Sequence, residues 1–430
     1  MSALVPAAAT IWQGRVGVLL RELVLVNFRN FVRLALAPGE RVTVLGGDNG
    51  QGKSNLLEAV YFLATTRSPR AGSDRELVHW RVRRDTIPFA RLEARIARQD
   101  ADLHVEILIR AETDQAEPPA ENGQVPTAPA APAVAKTIKV NGLPTRAIDL
   151  VGQVNVVLFS PDDVALVAGP PIDRRRYLDI TSSQVSALYL RTLQRYHRVM
   201  VQRNHLLRQI RERRQQRAQL DVWNDELVAS GAHVVAKRLE MVAEINGELG
   251  PLYRDLSGTE QKLEIVYQTT VGSQQPDVGA PALVASAFAA RLRELLDKEI
   301  DQGVTLVGPH RDDFSFVLDG VDLNVYGSRG QQRLAVLALK LAEGQYMRAQ
   351  TGERPILLLD DVLSELDPPR RGFVLDQAGR EGQTVLTSTD LADFPGPFLA
   401  EAAVFHIRAG TAVSQQPDGQ SFTTTASELP

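Results

Sequence analysis

The eight residues Gly47-Asp48-Asn49-Gly50-Gln51-Gly52-Lys53-Ser54 fit G-x-x-x-x-G-K-[ST] and lie between a short apolar run and an amphipathic one. No other stretch constrains the fold as tightly, because this P-loop pattern has meaning only between a strand and a helix. Arg41 to Leu45 reads as the strand. Leu56, Val60 and Leu63, with Leu57, Tyr61 and Ala64 beside them, recur at helical spacing. Glycines at 47, 50 and 52 let the backbone curl so that successive N–H groups and the helix N-terminus face one anion. The expected nucleotide-binding set is therefore Gly47, Asn49, Gly50, Gly52, Lys53, Ser54 and Asn55. Lys53 would reach the β and γ phosphates, and Ser54 would give its hydroxyl to Mg²⁺.

The chain has 430 residues, 44% of them hydrophobic, enough to bury a sizeable core in one large or two modest domains. It contains no cysteine, which excludes a disulfide framework, thiolate metal sites and a cysteine nucleophile. A net charge of -4 argues against a uniformly basic nucleic-acid coat and leaves room for a local basic face. No run of roughly eighteen apolar residues occurs. Leu4 to Ile11 is short, is interrupted by Pro6 and lacks a charged start, so the expected location is the cytoplasm, without a membrane.

Residues 1–17 are alanine-rich without a clear period and read as a disordered extension. Strands are expected in VLLRELVLVNF and FVRLALA, then, after the P-loop helix, over Phe89 to Ile96 and Leu103 to Arg110. Thr113 to Lys136, rich in proline and alanine, reads as a disordered insertion between strands. After Val154 to Phe159, a helical lobe is expected over 161–302. Its two long helices would join near Arg217 to Asp221, end at Gly250-Pro251 and stand off the body as an antiparallel hairpin. Arg174 to Arg217 contains twelve arginines, no lysine and two acids, Asp179 and Glu212. Such a face attracts phosphate, although a solvated helix surface has the same composition. The candidate DNA contacts are Arg191, Arg195, Arg198 and Arg203. The ATPase core would resume at 303–410, and 411–430 reads as a disordered tail.

The second half of the chemistry lies in that last part of the core. Pro355 to Leu359 is an apolar strand running into Asp360 and Asp361, the Walker B pattern. Asp360 would hold Mg²⁺ and Asp361 would orient or deprotonate the attacking water. Tyr326-Gly327-Ser328-Arg329-Gly330-Gln331-Gln332 precedes a helix, with Ser328, Gly330 and Gln331 as candidate nucleotide contacts. Ser364-Glu365-Leu366-Asp367 follows the Walker B strand. His310 and Arg311, after the strand-like run Val304 to Val307, are given no catalytic step.

The order P-loop, serine-glycine signature, Walker B and D-loop, split by a helical insertion, resembles the ABC-type ATPase heads of the SMC-like group. Within that group the chain is similar to the RecF family. The stretches that carry the likeness are Asn27 to Phe31, Asn49 to Asn55, Phe159 to Asp163, Arg174 to Asp179, Gly308 to Asp313, Ser328 to Gln332 and Asp360 to Asp367. The fold class implied is α/β: an ABC-type head, with a mixed β-sheet bearing the P-loop, interrupted by a helical domain.

The resemblance implies a slow, DNA-stimulated ATPase that dimerises on ATP. It also implies binding of double-stranded DNA near gaps or junctions, and work with RecR and RecO in helping RecA load. Each nucleotide would be held by one subunit's P-loop and covered by the other's Ser328 and Gly330. Three departures qualify the pattern. Asp361 stands where transporter ATPases carry glutamate, Thr387-Ser388-Thr389-Asp390 takes the place of the switch histidine, with Thr389 able to hydrogen-bond a phosphate, and Gln153 is a nearby candidate for the open Q-loop position. A transporter ATPase subunit, and a structural DNA-binding protein in which ATP serves only assembly, are the competing readings.

Overall fold

The computed structural model describes residues 17–84, 87–111, 134–272, 281–380, 382–415 and 421–423. The chain opens with β1 (Leu19–Phe28) and β2 (Phe31–Leu36), an antiparallel pair whose tight turn places Asn27 and Arg29 at positive φ. Next come β3 (Val42–Gly46), which ends on the P-loop, and α1 (Lys53–Thr65), then β4 (Phe89–Ala97), β5 (Leu103–Ala111), β6 (Val134–Val140) and β7 (Leu143–Thr145). Six of these strands form an antiparallel sheet in the order β2-β1-β4-β5-β6-β7. Its alternating apolar face, including Leu23, Leu25, Leu92, Ile107 and Ile109, shares one core with Leu56, Val60 and Leu63 of α1. The period of two on the strands and of 3.6 on the helix thus meet on a common surface.

After α2 (Ala147–Leu150) come β8 (Val156–Phe159), α3 (Ala165–Ala168), α4 (Pro171–Val185), α5 (Ala187–Arg211) and α6 (Leu220–Ser257). The helical lobe continues through β9 (Leu263–Gln268), α7 (Pro281–Gln302), β10 (Asp313–Leu318), β11 (Val321–Asp322), α8 (Leu323–Tyr326) and α9 (Arg329–Thr351). The chain then returns to the nucleotide sheet with β12 (Ile356–Leu359), α10 (Pro368–Arg380), β13 (Thr384–Ser388), α11 (Gly396–Glu401), β14 (Ala403–Arg408), β15 (Thr411–Gln415) and β16 (Ser421–Thr423). This second sheet has the order β16-β15-β14-β3-β13-β12-β8, and every pair from β14 to β8 is parallel. Its central strands β3, β13 and β12, and the edge strand β8, are buried along their whole length, as strands covered on both faces must be. In open parallel sheets of this kind, ligands bind outside the strands' carboxyl ends.

The structure corrects five expectations of secondary structure and its packing. First, α5 and α6 are antiparallel partners, but they do not stand off the body. Met241, Ile245, Leu249 and Leu256 of α6 join Leu334, Leu337 and Leu341 of α9 in one core. Second, α6 runs through Pro251 and ends only at Gly258, which is left-handed at φ 68°. A mid-helix proline costs about 3 kcal/mol, and burying Leu249, Leu252, Tyr253 and Leu256 at about 1.5–3 kcal/mol each outweighs it. The carbonyl that Pro251 leaves unbonded belongs to Gly247, on the exposed side where water can take it. Third, the tail is not wholly irregular. Ala409 (φ 47°) and Gly410 (φ 77°) make a turn with two positive φ values, the geometry that favours a hairpin, and β15 pairs along β14. Fourth, the expected insertion overlaps β6. Lys136 bonds the Thr66 carbonyl at 2.8 Å, pairs with Asp74 and lies over the Phe62 ring, while 113–133 and 1–16 are outside the described residues. Fifth, Val304 to Val307 is irregular rather than a strand.

One candidate DNA contact is also removed. Arg203 is fully buried, paired with the equally buried Glu299 at 2.6 Å and bonded to Asn224 and Thr305. It ties α5 to α7 and cannot reach a phosphate. Breaking a buried pair leaves one uncompensated charge, so Arg203→Met is expected to lower unfolding free energy by about 3–5 kcal/mol in urea titrations. Arg198→Met, on the exposed face, is expected to change it by less than about 0.5 kcal/mol.

Candidate nucleotide site

The P-loop is shaped by neighbours that leave no room for side chains. Gly47 has φ 139°, and a Cβ there would lie 2.4 Å from the Ile407 carbonyl oxygen. At Gly52 (φ 114°) a Cβ would meet the Asn30 side chain at 2.5 Å. Only glycine meets both demands at these two positions. Asn30 then braces the loop: its Nδ2 donates to the Gln51 carbonyl at 2.8 Å, and its Oδ1 accepts from Asn55 Nδ2 at 2.8 Å. Asn55, expected to bind nucleotide, is therefore occupied in holding Asn30. Gly50 and Asn49 lie on the exposed crest of the loop.

Register explains how the carboxylates meet the loop. Leu359 of β12 pairs with Leu386 of β13, so the next residues, Asp360 and Thr387, fall side by side. Asp360 Oδ1 accepts from the Ser54 hydroxyl at 2.8 Å and from the Thr387 hydroxyl at 2.8 Å. The Asp361 N–H in turn donates to Thr387 Oγ1 at 2.9 Å. Thr389, two residues on, is exposed and makes no side-chain hydrogen bond among the described residues. The residue of this stretch that bonds both acids is thus Thr387, to which the sequence reading gave no role.

Asp361 sits at φ 51°, a strained conformation for a residue with a side chain, and its buried Oδ1 has no hydrogen-bond partner. Burial, reinforced by the charge of Asp360, raises its pKa above the ordinary aspartate value. Lys53 Nζ donates to the carbonyls of Gly47 and Asp48 at 2.5 and 2.9 Å, and burial lowers its pKa despite three nearby acids.

A second network behind the loop also escaped the sequence. Glu58, one helical turn after Ser54, is fully buried and paired with Arg29 at 2.6 Å and Arg70 at 3.0 Å. Burial acts to raise the Glu58 pKa, but bonds from Arg29 and Ser68 and the two guanidinium charges outweigh it, and the pKa is lowered. Arg70 also donates to the Ser54 carbonyl and to Asn55 Oδ1. The signal available in sequence was one acid on an otherwise apolar helix face.

The signature residues lie elsewhere. Ser328 caps α9, accepting from the Gln331 N–H at 3.2 Å, and the Gln331 side-chain oxygen accepts from the Ser328 N–H at 2.9 Å. This reciprocal box commits the Gln331 carbonyl to the cap. Ser328 and Gly330 are exposed, and among the described residues no bond joins them to the P-loop. Arg333 on α9 pairs with Glu365 of the D-loop at 2.7 Å. Gln153 precedes β8 and bonds Arg98, at the end of the strand opposite Phe159, which pairs with Leu359 beside the acids. His310 bonds Tyr196 and the Thr305 carbonyl, and so has a structural role. On α5, Arg191 and Arg195 are about 60% exposed, paired with Asp149 and Glu226, and Arg198 is exposed and has no acid partner among the described residues.

A P-loop sheet, a helical insertion and a separately mounted serine-glycine helix cap define an ATPase head of the SMC-like ABC type. The family described as RecF/RecN/SMC N terminal domain matches residues 19–390. The chain is 44% identical over 398 residues to the DNA replication and repair protein RecF of Chloroflexus aurantiacus, covering 90% of this chain and 98% of that one. It is 36% identical over 397 residues to RecF of Bacillus subtilis, with coverage of 92% and 99%. A solved structure of the recombination mediator protein RecF with ATP, in the RecFOR pathway, superposes with a TM-score of 0.80 at 30% identity, covering 94% of this chain and all of that one. The chain belongs to the RecF family of DNA replication and repair proteins. No helix among the described residues is long and apolar enough to cross a membrane.

Raised by burial, the Asp361 pKa has a calculable sign. The ionised carboxylate costs the folded state free energy at neutral pH, and the cost disappears as pH falls through the raised value. Asp361→Asn is therefore expected to raise the melting temperature of nucleotide-free protein at neutral pH, with the gain shrinking toward the ordinary aspartate range. The same variant is expected to lose about 10²–10⁴-fold in hydrolysis rate while still binding nucleotide, measured by turnover and by equilibrium titration.

Proposed function

We propose that the chain is an ATP-dependent DNA-binding clamp of recombinational repair. It binds duplex DNA at gaps or single-strand junctions, dimerises on ATP, dissociates on slow DNA-stimulated hydrolysis, and acts with RecR and RecO in helping RecA load. The observation that carries this reading is the division of the nucleotide machinery. Lys53, Ser54, Asp360 and Asp361 converge beside one loop, while the capped N-terminus of α9 faces solvent. Exposed N–H groups at the end of a 23-residue helix suit a γ phosphate held by a second copy. Val325 and Tyr326, 65% and 76% exposed just before the cap, give that second copy an apolar surface to cover.

Within each site the residues divide the work. The Ser54 hydroxyl and Asp360 carboxylate, 2.8 Å apart, are hard oxygen donors that suit Mg²⁺, with phosphate and water completing its shell. Mg²⁺ would supply charge neutralisation at the phosphates. Lys53 would leave the loop carbonyls for the phosphates. The unpartnered Asp361 Oδ1 would orient the attacking water and take its proton. Its reach is shorter than that of a glutamate, which suits slow turnover. Loss of the γ phosphate removes the contact to the partner's α9 and opens the dimer. Arg191, Arg195 and Arg198 would contact DNA backbone rather than bases, so affinity should fall steeply with salt.

Sedimentation with ATP and Mg²⁺ tests the dimer: wild type is expected to run as a dimer and Ser328→Arg as a monomer. If both stay monomeric with ATP bound, the shared site is wrong. Turnover stimulated by duplex DNA and abolished by Lys53→Met supports the clamp, whereas ATP-dependent dimerisation without turnover supports an assembly role. Replacing Arg191, Arg195 and Arg198 by alanine should weaken binding similarly across DNA sequences and flatten the salt slope by about one per lost phosphate contact.

A further inference from the structure

A cleft of about 420 Å³ lies where α2 and the C-terminal end of α1 meet α4 and α5. It is separate from the nucleotide pocket, because α1 has 13 residues and its ends are therefore about 20 Å apart. The volume falls in the range of ~300–1,000 Å³ typical of ligand sites. Ile148, Val151, Ile172, Ile180, Leu190 and Leu193 line it, and Ile172 is 62% exposed. Ile148, Val151, Ile180 and Leu190 are half-buried around the exposed Ile172, so an apolar group entering the cleft would find aliphatic contacts and remove Ile172 from water.

The same cleft is cationic. Arg67, Arg175 and Arg176 line it, and none has a carboxylate partner among the described residues. Arg175 and Arg176 donate only to the carbonyls of Asp312 and Ser68, at 3.0 and 2.8 Å. The one acid in the lining, Asp179, is already committed to Arg238 at 2.7 Å and to the Tyr189 hydroxyl at 2.6 Å. Burial lowers the pKa of His310 to about 4, so that ring adds no charge at neutral pH. Three guanidinium groups therefore border an aliphatic slot, and among the described residues none of them is ion-paired to a carboxylate.

We infer that this cleft binds a peptide segment of a partner protein in which carboxylates flank an aliphatic or aromatic anchor. Planar guanidinium groups take carboxylates in a bidentate fashion, and the anchor side chain fills the slot. Nucleic acid matches the charge and could stack on the guanidinium planes. Of the rings in the lining, however, Tyr196 is buried and bonded to His310, and the most exposed aliphatic wall residue is Ile172, which favours an aliphatic anchor over a stacked base.

Phage-displayed random heptapeptides, panned on the full-length protein and counter-selected on an Arg67→Glu, Ile172→Glu variant, test the inference. Both positions are exposed and outside the ATPase machinery, so unchanged basal ATP hydrolysis reports an intact fold, and Arg67→Ala serves as a milder second variant. Enriched sequences are expected to carry two or more acids beside leucine, isoleucine or phenylalanine. As free fluorescent peptides they should bind wild type roughly tenfold or more tightly than the charge-reversed variant, with a short single-stranded oligonucleotide binding both alike. Clones that lack acids, or that do not distinguish the two proteins, overturn the inference. Loss of oligonucleotide rather than peptide affinity also overturns it, by assigning the cleft to nucleic acid.

Discussion

The carboxylate of Asp360, shared between the hydroxyls of Ser54 and Thr387, is the contact on which the proposed nucleotide chemistry depends. It exists because β3, β13 and β12 lie side by side and parallel, so that the chain segments leaving their carboxyl ends emerge together. Ser54 follows the first strand by the length of the loop, Thr387 lies within the second, and Asp360 follows the third. The strands are short and buried on both faces, so their register is set by packing, and a slip of one residue would turn Asp360 away from the loop. Charge placement here is a consequence of apolar packing one residue earlier.

A second layer keeps the loop itself in place. The buried Glu58 carboxylate draws Arg29 from the antiparallel sheet and Arg70 from the segment after α1 onto the P-loop helix. A buried acid of this kind is tolerable only because two cations and a hydroxyl satisfy it. On the other side, the turn between β14 and β15 reaches the loop: the Ala409 N–H donates to Gln51 Oε1 at 2.7 Å, and a Cβ on Gly410 would lie 2.5 Å from the Asn30 carbonyl. The antiparallel sheet and the terminal hairpin thus both brace a loop that makes no regular structure of its own. Neither brace touches Ser328, whose helix is mounted on the helical lobe through α6 and ion-paired to the D-loop through Arg333.

What could be read in the sequence follows from the range of each signal. The P-loop, Walker B strand and α9 cap are local patterns, and each was legible because its residues are contiguous. Thr387 was not, since choosing it over Thr389 requires the pairing of Leu359 with Leu386, a contact between strands far apart in the chain. Arg203 was miscounted for a related reason. A tally of arginines gives the charge of a segment but not its inward face, and Glu299, almost a hundred residues on, decides which arginine is buried. The helix through Pro251 ran against local propensity because its neighbours Leu252 and Leu256 had a core to enter. The β14–β15 hairpin was hidden for lack of an asparagine-glycine turn, although Ala409-Gly410 adopts the same backbone. Glu58 was legible as an oddity on an apolar face, but its two partners came from opposite sides of the P-loop in sequence.

The central claim is that each nucleotide site is built from two copies of the chain. Mixing two variants that are each inactive tests it directly, one lacking the P-loop lysine (Lys53→Met) and one blocked at the helix cap (Ser328→Arg). In each heterodimer one of the two sites unites an intact P-loop with an intact cap, and neither homodimer contains such a site. An equimolar mixture should therefore recover turnover that neither variant shows alone, up to about half of the wild-type value, when the two patches meet across a two-fold axis. Turnover that stays at the level of the separate variants, although heterodimers form, would contradict a shared site and place the whole reaction within one chain.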